Sequence, residues 1–192
     1  MKTTQLFLKS ALVLAMAVPM LASAESNLVA SNGNNPASIS ATARLNFSVV
    51  IPKVLFLGVG TGYNSLAGSG TIDLLTFDYS AAAATVGDGN PSTAQAVDVR
   101  VLGNNGQINI AAAGSGTGLT SGTDTILWTE ILATSDDATN FDVPAVGGTA
   151  APLLTAGKVT SQTTKWNYAY SNSNVVAPGA YTGQITYTAT MP

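Results

Sequence analysis

Hydrophobic positions along this chain recur mainly at every second residue. Residues 39–51 place Ile39, Ala41, Ala43, Leu45, Phe47, Val49 and Ile51 on one side, with Ser, Thr, Arg and Asn making up most of the other. That is the period of a half-buried β-strand, in which successive side chains point to opposite faces. Pro52 then interrupts, because it has no amide hydrogen to give a ladder, and residues 53–59 resume as a more uniformly apolar strand that could be buried on both faces. Further strands are expected over residues 71–80, where Leu75, Phe77 and Tyr79 alternate with Thr76 and Asp78, and over 124–133. Another falls at 165–171, with Trp166, Tyr168 and Tyr170 sharing a face. Over 181–191, Tyr181, Gly183, Ile185, Tyr187, Ala189 and Met191 share one face, and Gln184 and four threonines occupy the other. Val97, Val99 and Val101 lead through Gly103-Asn104-Asn105-Gly106 into Gln107-Ile108-Asn109-Ile110. Asn and Gly tolerate the positive φ of tight turns, so this stretch predicts a β-hairpin. About seven or eight strands punctuated by Gly- and Ser-rich turns predict an all-β, Greek-key sandwich of two sheets. No helical period extends beyond the single turn of residues 81–84, too short to be stable alone.

The first residues change the picture of where this sandwich works. A basic stretch at 2–9 precedes an apolar run at 11–21 that ends in Ala22-Ser23-Ala24, the three parts of a secretory signal peptide. The apolar run falls short of the roughly 20 residues a spanning helix needs. Residues 1–24 are therefore expected to be removed on export, leaving a mature chain without a membrane span. Residues 25–37, rich in Ser, Asn and Gly, read as a flexible N-terminal extension, and 38–192 as a single β-sandwich domain.

Composition narrows the chemistry. The 192 residues contain no His and no Cys, which removes the commonest general base, the thiolate nucleophile and any disulfide. A Ser-His-Asp triad cannot be built. The expected class is a non-enzyme without cofactor. Charged residues make up 9% of the chain and the net charge is −3, so there is no basic footprint for nucleic acid. Glu130, Asp136, Asp137 and Asp142 lie close in sequence and, with Asn140, offer hard oxygen ligands, but their spacing matches no EF-hand and the favoured reading is a solvated loop. Trp128, Trp166, Tyr168, Tyr170, Tyr181 and Tyr187 could form a sugar-stacking platform, although aromatics at alternate strand positions are more often core.

The C-terminal residues carry a resemblance. Pro178-Gly179-Ala180-Tyr181 and the alternating strand through Thr190-Met191-Pro192 resemble the last strand of chaperone–usher pilus subunits and of the related spore-coat-U-like secreted proteins. The alternating segment 41–51 after a signal peptide is similar to their N-terminal region. The resemblance implies an immunoglobulin-like sandwich that is incomplete alone and finished by donor-strand exchange, in a structural subunit of a surface fimbria. It implies identical or related pilin subunits, a periplasmic chaperone and an outer-membrane usher as partners, with passage through the periplasm to the cell surface. Leu45, Phe47, Val49 and Ile51 would then act as strand side chains in the donor or the groove, and Tyr181, Ile185 and Tyr187 as the core face of the terminal strand. Many family members carry a disulfide, and this chain cannot. Residues 25–37 offer only Leu28, Val29 and Ala30 as apolar side chains for a donor, so the donated strand is either that stretch or residues 39–51. The alternative is a self-contained secreted binding module, for carbohydrate or a cell-surface ligand, in which residues 39–51 complete their own sheet.

Overall fold

The computed structural model describes residues 25–31 and 38–192. The expected signal peptide, and residues 32–37 of the expected extension, lie outside the described residues. The chain divides into two units, Met1–Val50 and Ile51–Pro192.

In the first unit the described residues form neither helix nor strand, so the strand expected over 39–51 is absent. A period of two says which face of a segment could be buried. It does not say which chain supplies the neighbouring edge.

The second unit is an all-β sandwich. Its strands are β1 (Leu55–Val59), β2 (Gln95–Gly103), β3 (Asn109–Gly114), β4 (Gly118–Ser121), β5 (Asp124–Leu127), β6 (Ile131–Ser135), β7 (Thr149–Ala150), β8 (Thr160–Tyr170) and β9 (Ile185–Thr190). One sheet has the order β1-β2-β8-β6, a second β7-β3-β9, and β4-β5 form a small hairpin. Every pairing is antiparallel. Val97, Val99 and Val101 of β2 and Trp166 and Tyr168 of β8 face Ile108, Ile110, Phe141 and Val143 in one buried cluster. Trp166 is fully buried, with its ring 5.4 Å from that of Phe141 and 5.0 Å from that of Tyr187. Removing such a side chain costs about 3–5 kcal/mol.

The expected hairpin between β2 and β3 is not formed. Both sides of β2 are taken, by β1 and β8, and β3 belongs to the other sheet. Residues 103–108 form an arch that crosses between the layers. Both flanking runs turn their apolar faces to the same core, so a hairpin and an arch leave the same alternation in sequence. Gly106 alone in this turn has positive φ, at 108°. Asn104 and Asn105 instead use their amides to hold other segments.

Two other strand expectations are corrected. Residues 71–80 have no ladder: Leu75 and Phe77 pack on the core and Tyr79 meets Tyr170 edge-on at 5.9 Å, while their backbone joins no strand. The segment expected over 124–133 breaks at a 3-10 turn, Trp128–Glu130, so that β5 pairs with β4 and β6 with β8. The strand at 165–171 is instead the longest, β8, and serves as a central strand of its sheet. No helix among the described residues is long and apolar enough to cross a membrane.

A candidate assembly surface

The first unit exposes what a strand would bury. Ile39 is 58% exposed, Phe47 85% and Val49 82%, and Leu45 and Val50 are exposed with them. Leaving a large apolar side chain in water rather than in a core forgoes about 1.5–3 kcal/mol. The polar side of the segment carries Arg44, whose guanidinium donates to both carboxylate oxygens of Glu25, at 2.9 and 3.1 Å. This bond holds the Glu25 carboxyl below its ordinary range and raises Arg44 above its own. Both groups are in solvent, so the pair fixes geometry more than it stabilises.

The second unit has open edges. Among the described residues, strand β1 pairs only with β2, and β9 only with β3; Cα atoms of β1 and β9 come within 8 Å of one another. Along β9 the alternation seen in sequence is real: Ile185, Tyr187 and Ala189, with Met191 beyond the strand end, are half-buried, and the threonines between them are exposed. Tyr187, Ala189 and Met191 pack against the core without being sealed by it, as do Leu57 and Val59 of β1. An unpaired edge of this kind is a template for another strand.

The terminal residues singled out from sequence do not all stand together. Tyr187 reaches inward, where its hydroxyl lies 2.8 Å from that of Tyr168; burial raises both phenols above the ordinary tyrosine value. Ile185 shares its face at the Gly114 register. Tyr181 precedes the strand, and its hydroxyl donates to the Ala177 carbonyl at 2.8 Å, closing the turn ahead of β9. Ile51, at the start of the second unit, is 75% exposed.

The acids and aromatics find structural partners. Glu130 accepts from the hydroxyls of Ser171 and Ser173, Asp136 from the Asn167 amide, Asp137 from Asn140, and Asp142 from the amide of Val143. Each is committed to a different hydrogen bond, and no group of three or more metal-ligating acids occurs among the described residues. Trp166, Tyr168 and Tyr170 are buried, so the face they share is core and not a platform for sugars.

Sequence reading missed the asparagine corner. Asn104 accepts from the amide of Val54 at 2.8 Å and donates to the carbonyl of Pro52 at 2.8 Å. Asn105 donates to the carbonyl of Pro192, and Lys53 Nζ donates to the same carbonyl at 3.3 Å. Its only signal in sequence was the Asn-Asn pair, which turn chemistry had already claimed.

No family model matches the sequence, and no curated protein matches it. Among solved structures, a chain from the structure of a chaperone–usher pilus is similar in fold at 13% identity and a TM-score of 0.42, over 85% of this chain and all of that one. A likeness of that size leaves the function to be argued from the residues of the chain itself.

Proposed function

We propose that this protein is an exported structural subunit that assembles by strand donation, residues 39–51 of one copy adding to the free edge of β9 in the next. One observation carries the reading: a segment whose apolar residues recur at every second position leaves Phe47, Val49 and Ile51 in water, while the sandwich keeps an unpaired edge beside half-buried apolar side chains. An added strand would satisfy that edge with main-chain bonds and place Leu45, Phe47, Val49 and Ile51 against Ile185 and Tyr187. Each copy would offer one strand and accept one, and a head-to-tail contact that does not close gives a filament. A periplasmic chaperone holding the edge before assembly, and an usher at the outer membrane, are the partners this scheme calls for. The resemblance of residues 178–192 to terminal strands of pilus subunits points the same way.

The experiment compares the chain from residue 25 with its Phe47→Asp, Val49→Asp double variant, with and without a co-expressed chaperone. The native chain is expected to form concentration-dependent oligomers and the variant to stay monomeric with the same circular dichroism. A synthetic 39–51 peptide at a hundred times its Kd should stabilise the variant by about 2.7 kcal/mol, a rise of several degrees in Tm for a domain of this size. A native chain that stays monomeric at all concentrations, with its own segment protected from protease, would establish the self-contained module instead.

A further inference from the structure

We infer that Asn104 is a positioning residue: it latches the root of the apolar segment to the sandwich and divides a released stretch, up to residue 50, from a fixed one, Pro52 to Val54. The side-chain amide of Asn104 bonds on both sides of Lys53, receiving the Val54 amide and donating to the Pro52 carbonyl, each at 2.8 Å. The Lys53 side chain is itself engaged, 3.3 Å from the Pro192 carbonyl. Asn105 also donates its side-chain amide to that carbonyl, and its backbone N–H donates to Met191 Sδ at 3.2 Å. Gly106 completes the corner by donating to the Lys158 carbonyl at 2.9 Å. The arch between the sheets thus gathers the entry of the second unit and the end of the β9 stretch at one point. Pro52 reinforces the arrangement, because it disfavours helical backbone at Ile51 and keeps the approach to the latch extended.

The inference uses strand donation for its purpose but not for its evidence. If residues 39–51 are to be offered to another copy, their root must not slide, since a one-residue slip of a strand exchanges its apolar and polar faces. Asn104 would therefore hold the register in which residues 39–51 are offered to another copy.

Trypsin provides the test, because Arg44 and Lys53 are the two basic residues of this region and lie on opposite sides of the boundary. In the dilute, monomeric chain the Arg44-Leu45 bond should be cut rapidly. The Lys53-Val54 bond should be cut slowly, since both flanking backbone groups and the lysine side chain are tied. Asn104→Ala should speed cleavage at Lys53 by about tenfold or more, as expected when bonds to two backbone groups are lost from a local opening equilibrium. Cleavage at Arg44 should be unchanged. Asn104→Asp, which keeps the acceptor for Val54 and loses the donor to Pro52, should fall between; it also serves if the alanine variant does not fold. In size-exclusion chromatography the alanine variant should show more monomer. Equal rates at Lys53 in the native and variant chains, with circular dichroism intact, would overturn the latch. A native chain that protects Lys53 in an Asn104-dependent way but never oligomerises would keep the latch and refute donation.

Discussion

At Asn172 one buried side chain organises a whole loop. Its backbone sits at φ 54°, the left-handed region that costs most residues energy but is tolerated by asparagine. The side chain receives the Gly87 amide at 2.8 Å and donates to the Thr85 carbonyl at 2.7 Å and to Asp88 at 2.9 Å, while its carbonyl accepts from Gly89 at 3.0 Å. Asn172→Ala should lower stability by about 2–4 kcal/mol in urea denaturation, since it strands buried polar groups and strains the backbone. Asn172→Gly, free of the strain, should recover part of that loss. Glu130 offers a second residue-scale test. The hydroxyls of Ser171 and then Ser173 hold its carboxyl below the ordinary value of 4.5. A depressed folded pKa means the unfolded chain binds the proton more readily. The contribution is therefore present above the unfolded pKa and fades as pH falls through the folded one. Tm should drop below about pH 4.5, and Glu130→Gln should flatten that part of the profile; an unchanged profile would show that the clasp is not the group titrating. Neither residue stood out in the sequence, where Asn172 is one asparagine among many and Glu130 looked like a member of an acidic group. Their partners lie about 40 to 90 residues away along the chain, beyond the reach of any local pattern.

Among the elements, the break between β5 and β6 has a specific cause. Trp128 lies across Gly114 at the end of β3 and Gly183 ahead of β9, and a Cβ on Gly183 would sit 2.8 Å from the indole Cη2. The indole N–H donates to the Gly116 carbonyl at 3.2 Å. Glycine is required here by close approach, since Gly114 itself has an ordinary φ. Gly114→Ala would place its Cβ against the indole nitrogen and neighbouring carbons, so the ring must move. The expected loss is about 1–3 kcal/mol by thermal denaturation, as for other overpacked sites, with a change in tryptophan fluorescence. The same elements show what alternation reveals and what it hides. Strands β2, β8 and β9 were legible because their apolar faces pack on a core that any sandwich arrangement would supply. The β2–β3 arch was misread as a hairpin, and 71–80 as a paired strand, because a buried face and a hydrogen-bonded edge are separate properties and only the first leaves a period in sequence. Residues 39–51 are the extreme case, with the clearest alternation in the chain and no ladder among the described residues.

For the whole molecule, stability rests on packing and main-chain hydrogen bonds, since no cysteine is present to cross-link it. A domain with a typical margin of about 5–15 kcal/mol could then gain substantially from a strand laid along an open edge. Of the proposed surface, the candidate donor residues 45, 47, 49 and 51 stand out in the sequence by spacing, and the candidate acceptor edge only partly. Tyr187 and Ile185 do share the exposed strand, while Tyr181 closes a turn. The corner at Asn104 and Asn105 has a geometric consequence of its own. With Lys53 Nζ 3.3 Å from the Pro192 carbonyl, the two ends of the sandwich unit meet. Circular permutation needs just such adjacency: a short tether after Pro192 could carry residues 39–51 behind β9 instead of ahead of β1, placing the proposed donor and its proposed acceptor edge in a new order within one chain.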